Sequence, residues 1–166
     1  MLPENCVLFS GAAQGAESAF GAAAERHGID EVNFTFEGHS DARRRGIRVL
    51  TRGELRQGDV SLAYLTMQSI WHQVNQGREV FVIGRITPAQ TVTGGPGVAA
   101  EFAKLFNKPV HVFDQARDGW FRWAGDAWEA AHEPVVTEPH FCGTGTRFLE
   151  DNGRAAIDGL FARTFR

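Results

Sequence analysis

The chain alternates short apolar runs with longer segments whose apolar residues recur at helical spacing. The short runs predict buried strands, because a strand covered on both faces is apolar throughout. The longer segments predict helices, with Gly28 and Gly77 standing where two of them would stop. The predicted strands cover residues 6–9, 32–36, 79–83 and 110–113, and the predicted helices cover residues 16–27, 60–74, 98–106 and 150–163.

This repeated order of strand, turn and helix predicts one domain over residues 1–166, a three-layer Rossmann-like α/β fold with a mainly parallel sheet. Polar residues 38–54 predict a loop with a short strand near 47–50, and a further short strand is expected at 91–93. Residues 119–129 carry three tryptophans around a glycine turn, which predicts an added aromatic β-hairpin at the sheet edge. Its indole rings suit edge cover, a dimer interface or stacking of nucleobases.

Charge and composition narrow the function classes. The chain has 166 residues and a net charge of −3, so it has no overall field that attracts nucleic acid or an anionic membrane. Arg43, Arg44 and Arg45 form a local cluster, which fits either a solvated turn or a phosphate contact. Cys6 and Cys142 lack metal-ligand spacing, and no metal or cofactor is expected. No apolar run reaches the ~20 residues of a membrane span, so we expect a cytoplasmic protein.

Two glycine-rich turns, residues 10–17 and 93–101, each follow a strand-like run and open a helix-like run. A helix N-terminus presents unpaired N–H groups and partial positive charge, and glycine lets an anion approach the backbone. The carboxyl ends of parallel strands lie at one edge of a sheet, where ligands of such folds bind. The two turns therefore predict a cleft for a phosphate or nucleotide, although the first also fits a tight turn without a ligand.

A third glycine-rich segment, residues 141–147, is predicted to be a turn before the last helix. Its two glycines, two threonine hydroxyls and Arg147 suit a second phosphate, or else a helix cap beside a surface arginine. Asp114 and Gln115 end a predicted strand at the same edge, where they would contact a base or ribose, or form a turn.

The first turn resembles the SGGAxGAD turn of the SLOG superfamily of Rossmann-like nucleotide-binding proteins, which includes the DNA-processing protein A and Lonely Guy groups. Ala12 replaces a glycine of that pattern and Glu17 replaces its aspartate. The second turn is similar to the PGGxGTxxE signature of Lonely Guy enzymes, which hydrolyse the N-glycosidic bond of nucleoside 5′-monophosphates. Three glycines and Glu101 match at identical spacing, with Thr93 at the proline position and Val98 at the threonine position.

The resemblance implies that the glycines hold phosphate and that Glu101 serves the glycosidic chemistry, while a glutamate in a first helical turn is also favourable on electrostatic grounds alone. Those enzymes also use an arginine, for which Arg85 is the candidate because it follows a predicted strand. Residues 143–147 resemble a GxGTR-type segment of SLOG-like proteins from phage and bacterial genomes. The candidate catalytic residues are thus Glu101 and Arg85. The candidate ligand-binding residues are Ser10, Gly11, Ala12, Gln14, Gly15, Glu17, Gly84, Thr93, Gly94, Gly95, Gly97, Val98, Thr144, Gly145, Thr146 and Arg147.

The residues and the resemblance together predict a protein that binds a phosphorylated nucleoside or nucleotide-derived small molecule. It would act as a sensor or as a sequestering protein, for example for immune signalling nucleotides. The alternative is an N-glycosidase (phosphoribohydrolase) acting on nucleoside 5′-monophosphates, and a third reading is binding of single-stranded DNA. A homodimer or higher homo-oligomer is expected in any of these cases.

Overall fold

The computed structural model describes residues 1–55 and 62–166, and it confirms an α/β fold with one mostly parallel sheet. The strands are β1 (Val7–Ser10), β2 (Asp30–Thr35), β3 (Ile47–Val49), β4 (Glu79–Gly84), β5 (Val110–Asp114), β6 (Gly119–Trp123), β7 (Trp128–Ala130) and β8 (His140–Gly145). The helices are α1 (Ala16–Arg26), α2 (Leu62–Gln76), α3 (Gly95–Leu105) and α4 (Asp151–Thr164), with a 3-10 turn at Pro3–Asn5. The predicted first residues of α2, 60 and 61, lie outside the described residues.

The strand order is β3-β2-β1-β8-β4-β5-β6-β7. All pairs from β3 to β5 are parallel, and β6 and β7 complete the sheet as an antiparallel hairpin. The short strand expected at 91–93 is reduced to a single bridge between Ile86 and Val92. The Rossmann-like α/β architecture predicted from the pattern is therefore present, with the hairpin at one edge.

One segment was wrongly predicted, because β8 stands where a glycine-rich turn was expected. Its residues pair with β1 on one side and β4 on the other, at the centre of the sheet. Gly143 has a packing reason to be glycine, since a Cβ there would lie 2.5 Å from the ring of Phe20. Because β8 has a glycine where it packs against the Phe20 ring, it lacks the apolar pattern of the neighbouring strands. The sequence therefore suggested a turn.

The sheet separates two apolar layers, and β4 shows how it does so. Phe81 and Ile83 face the layer that contains α1 and α4, whereas Val80 and Val82 face the layer that contains α2 and α3. Both faces of β4 are fully covered. This is the burial expected of a central strand in a three-layer fold, and it holds the carboxyl end of β4 at a fixed position.

The aromatic hairpin packs on its own domain. Trp120 is 5% exposed and makes edge contacts with Phe81 and Phe113. Trp128 is buried on the opposite face, and its indole N–H donates to the Gln90 carbonyl at 2.9 Å. Of the three roles considered for these rings, edge cover is the one that fits the two buried indoles, because Trp120 and Trp128 are packed against the domain itself.

The arginine cluster is not simply a solvated turn, because Arg43 makes contacts within the protein. The Arg43 guanidinium is partly buried, where it pairs with Glu31 and Glu25 and donates to the Gly21 carbonyl. The hydrogen bond to Glu31 is the main cause that raises the pKa of Arg43. Arg43 thus ties the loop before β3 to α1.

Within residues 1–55 and 62–166, no helix is long and apolar enough to cross a membrane.

Candidate functional site

A cavity of about 510 Å³ lies at the carboxyl edge of the sheet, between the starts of α1 and α3 and one face of α2. Because β8 is inserted between β1 and β4, its end lies between the first two glycine-rich turns. All three glycine-rich segments therefore contribute to the wall of this main cavity, through residues 13–17, 93–96 and 144–148. Its volume lies in the ~300–1,000 Å³ range that is usual for small-molecule sites.

The first turn is held from inside the protein. Ser10 is fully buried and donates its hydroxyl to the Gly143 carbonyl at 2.6 Å, so it joins β1 to β8 rather than facing the cavity. Ala12 has a left-handed backbone with φ 60°, a conformation that favours the glycine it replaces. Gly15, at φ 89°, lies so close to β8 that a Cβ would be 2.5 Å from the Thr146 carbonyl oxygen.

The carboxyl group of Glu17 occupies the inner side of the same turn. It accepts the Ala13 N–H at 3.0 Å, the Thr144 hydroxyl at 2.8 Å and a hydrogen bond from the side chain of Gln73. Burial raises the pKa of Glu17, and these hydrogen bonds oppose that increase. An acidic side chain of the protein itself thus lies at the helix N-terminus where the sequence predicted a phosphate.

Gln73 is the polar residue that the sequence reasoning missed. It is 1% exposed and lines the main cavity, and its Oε1 atom has no hydrogen-bond partner among the described residues. Its Nε2 atom lies 3.4 Å from the Ser69 hydroxyl, on the next turn of α2. A buried acceptor without a partner is costly, so the Gln73 amide is the unsatisfied polar group beside this cavity.

A signal for this wall was present in the sequence. Thr66, Ser69 and Gln73 are polar and recur at three- and four-residue spacing, so they share one face of a helix that also buries Ile70. Polar residues on the sheet-facing side of a predicted helix are therefore the sequence signal for a cavity wall of this kind.

The second turn opens α3 at Gly95, with Gly94 at φ 72° and no side-chain hydrogen bond to cap the helix. Thr93, Gly94 and Gly95 line the main cavity, whereas Gly97 and Val98 do not. Gly97 is buried and its position has no room for a side chain, because a Cβ would overlap the Val92 carbonyl. The exposed end of this turn therefore offers free backbone positive charge to the cavity.

Arg147, the last residue of the third glycine-rich segment, lines the main cavity and is exposed to solvent. No described acidic residue pairs with it. The Arg147 backbone lies against Gly15 at the start of α1. Arg147 and the start of α3 add positive charge to the wall of the main cavity, and Glu17 adds a carboxyl group at its inner side. The wall is therefore polarised, since it carries both positive groups and a hydrogen-bond acceptor.

The two residues predicted to be catalytic do not line the main cavity. Glu101 has a half-exposed side chain and pairs with Lys104 at 2.7 Å, while the Lys104 ammonium lies 3.8 Å from the centre of the Trp123 ring. Arg85 pairs with Glu150 at 2.9 Å and lines a second, smaller cavity together with Gly84.

His39 is a further titratable residue in the wall of the main cavity. Its Nδ1 atom lies 2.6 Å from a carboxylate oxygen of Asp41 and 3.1 Å from the Thr35 hydroxyl. Asp41 thereby fixes the orientation of the imidazole ring and leaves Nε2 as the other functional atom. No cluster of three or more His, Cys, Asp or Glu residues in the described part of the chain is arranged to hold a metal ion.

Asp114 and Gln115, at the end of β5, serve the backbone. Asp114 is 1% exposed and accepts the N–H groups of Ile86, Ala116 and Arg117. Of the two roles expected for it, the turn-forming one is therefore observed. Gln115 holds the loop beside the second cavity through hydrogen bonds to the backbone of Phe148 and Glu150.

Comparisons of the chain with protein families, with curated proteins and with solved structures found no match.

Proposed function

We propose that the protein is a SLOG-like nucleotide-binding protein that holds a phosphorylated nucleoside, or a related nucleotide-derived molecule, in the main cavity. The observation that carries this proposal is the convergence of the three glycine-rich segments on one polarised cavity of about 510 Å³. The resemblance of residues 10–17 and 93–101 to nucleotide-binding turns supports the same ligand class.

The charges of the walls give the ligand an orientation. The phosphate lies at the start of α3, where no side chain caps the helix, and the exposed Arg147 side chain supplies a cation from the third segment without a competing carboxylate. The start of α1 is a poorer phosphate site, because the Glu17 carboxyl group already accepts the Ala13 N–H there. The N–H donors of a base face Glu17 and Gln73.

Binding without turnover is the favoured activity. Glu101 and Arg85, the two residues expected to carry glycosidic chemistry, point to other contacts and lie outside the main cavity wall. A protein that binds a nucleotide and leaves it intact suits a sensor or a sequestering protein, including one for immune signalling nucleotides.

Calorimetric titration with AMP, GMP, CMP and UMP tests the proposal, with Gly95→Asp and Gly95→Asn as a matched pair of variants. Position 95 tolerates a side chain, because a Cβ there would meet only the Ile70 side chain, at 4.0 Å. An aspartate in a first helical turn stabilises the helix but repels phosphate, so the two variants differ in charge alone.

We expect the wild-type protein to bind at least one mononucleotide with one-to-one stoichiometry. Gly95→Asp should weaken that binding at least tenfold relative to Gly95→Asn, while its melting temperature should be no lower than that of Gly95→Asn. Absence of binding to all four nucleotides, or equal affinity of the two variants, would contradict the proposal. Tight, salt-sensitive binding of single-stranded DNA alone would instead favour the DNA-binding class.

A second candidate is N-glycosidic hydrolysis, which one observation favours: a buried carboxyl group and an oriented imidazole share the main cavity wall. In this reaction water adds to C1′ of the ribose, the bond from C1′ to the base nitrogen breaks, and the departing base takes up a proton. Glu17 would donate that proton or stabilise the oxocarbenium-like ribose, and His39 would accept the proton of the water.

Chromatography of nucleotide mixtures after incubation with the protein separates the two candidates. Release of free base that is abolished in Glu17→Gln and His39→Gln, yet kept in Glu101→Gln, would establish hydrolysis through the main cavity. Loss of base release in Glu101→Gln alone would restore the role first expected for Glu101. An intact ligand at full occupancy would establish binding without turnover.

A further inference from the structure

We infer that the second cavity is a subsite for the second unit of a two-part nucleotide, such as a dinucleotide, whose first unit occupies the main cavity. This inference rests on the proposed function of the main cavity. The second cavity has a volume of about 340 Å³ and shares Thr93, Thr146 and Phe148 with the main one. The two cavities are thus adjacent along the carboxyl edge of the sheet, on either side of the segment that follows β8.

Phe148 lies between the two cavities with its side chain exposed. It is 77% exposed, the largest exposure among the large hydrophobic residues of the described chain. Its N–H donates to the Thr146 hydroxyl at 3.0 Å, and its carbonyl accepts from the Gln115 side chain at 3.3 Å. Hydrogen bonds on both sides of the residue therefore hold the aromatic ring in solvent at a place where a base can stack on it.

Gln115 is the buried support of this loop. It is 6% exposed, and its Oε1 atom accepts the Glu150 N–H at 2.8 Å while its Nε2 atom reaches the Phe148 carbonyl. One side chain thus fixes both Phe148 and the start of α4. The subsite is built on a buried residue of the β5 end rather than on a loose surface loop.

The ion pair between Arg85 and Glu150 lies in the wall of the second cavity. Both side chains are about half exposed, and exposed pairs of this kind contribute little to stability. An arriving phosphate group forms a bidentate, charge-assisted contact with a guanidinium group, which replaces the single contact to Glu150. Glu150 therefore competes with the ligand for Arg85.

Each cavity therefore has a cation in its wall. Arg147 lines the main cavity and Arg85 lines the second one. A mononucleotide uses only the first of them. A ligand with two linked nucleotide units uses both, and it places its second base against Phe148. Linking the units makes the second contact intramolecular, so affinity rises without any new contact in the first cavity.

The test compares the linear dinucleotide pApA with AMP by calorimetry on the full chain. The variants are Arg85→Ala, which removes the cation, and Glu150→Gln, which removes the competitor. Arg26→Ala is the matched control, because Arg26 pairs with Asp158 on the α1 and α4 surface with similar exposure, at 2.6 Å. Melting temperatures of all variants confirm that each is folded.

We expect pApA to bind at least tenfold more tightly than AMP. Arg85→Ala should weaken pApA about tenfold and AMP less than twofold, whereas Glu150→Gln should strengthen pApA by about threefold or more. Arg26→Ala should change neither. The opposite signs of the first two variants distinguish the subsite from a general effect on folding.

Equal affinity for pApA and AMP, or equal effects of Arg85→Ala on both ligands, would overturn the subsite while the proposed function stands. Weaker binding of pApA in Glu150→Gln would also overturn it, since a competitor cannot be a contributor. Absence of binding by pApA and by all four mononucleotides would overturn both the subsite and the proposed function.

Discussion

The buried carboxyl group of Glu17 makes the stability of the protein depend on pH in a definite direction. Burial raises its pKa in the folded protein above the value of 4.5 that is usual for glutamate. Between the unfolded and folded pKa values the native state holds a proton that the unfolded state has lost. Stability therefore falls as the pH rises through this window, and it is highest below it.

Glu17→Gln removes this dependence and keeps the local hydrogen bonds. The amide oxygen can accept from the Ala13 N–H, as Oε2 does in the wild type. The amide nitrogen then faces the Thr144 hydroxyl, which rotates to accept instead of donating. The variant is thus a neutral isostere at a site whose partners adapt to it.

The expected effect follows from proton linkage. Each pKa unit between the folded and unfolded states changes the free energy of unfolding by about 1.4 kcal/mol. For a domain of this size, about 1.4 kcal/mol corresponds to roughly 3–6 °C in Tm. We expect Glu17→Gln to raise the Tm at pH 8, by that amount for each pKa unit between the two states, and to give no gain at pH 4.

Thermal unfolding followed by circular dichroism between pH 4 and pH 8 measures the difference between variant and wild type. Glu129→Gln is the control, because Glu129 is exposed on β7, and its difference from the wild type should stay near zero throughout. A difference for Glu17→Gln that does not change with pH, or a loss of Tm at pH 8, would refute the account of the buried carboxyl group.

Three further predictions concern packing and reactivity. Lys108→Met removes three hydrogen bonds of 2.7–2.9 Å to carbonyls at and just beyond the end of α2, so we expect a loss of about 1–3 kcal/mol in denaturant unfolding. Gly143→Ala places a methyl group 2.5 Å from the Phe20 ring, and the resulting strain should cost about 1–3 kcal/mol; an unchanged midpoint would mean that the ring moves freely. Burial raises the pKa of Cys6 and Cys142, so neither thiol should react with a disulfide reagent at pH 8 until the protein is unfolded, and rapid labelling of the native protein would contradict their burial.

The sequence predicted those strands and helices whose apolar pattern follows directly from which of their faces are buried. The run of residues 79–83 is apolar because β4 is covered on both faces, and the helical spacing of residues 16–27 follows the face of α1 that packs on the sheet. β8 escaped prediction because Gly143 and Gly145 meet Phe20 and β4 directly, so the strand lacks the side chains by which strands are recognised. Tertiary contact decided its structure.

Some residues of the candidate site could likewise be predicted from local sequence, and others could not. Thr93, Gly94 and Gly95 line the main cavity as local turn chemistry predicted, since a strand end and a helix start impose their own geometry. Gln73 was missed because its helix face lines a cavity only once α2 packs beside β8, and the polar spacing of Thr66, Ser69 and Gln73 was not used as a signal. Glu101 was assigned from motif spacing alone, and Lys104 holds its side chain elsewhere.

The most direct test of the central claim is a crystal structure of the protein soaked with AMP. We expect phosphate density within hydrogen-bond distance, about 2.7–3.2 Å, of the Gly95 N–H at the start of α3, with the Arg147 guanidinium in contact with it and the base toward Gln73. Phosphate density at residues 13–15, next to the Glu17 carboxyl group, or an AMP molecule bound outside the main cavity, would contradict it.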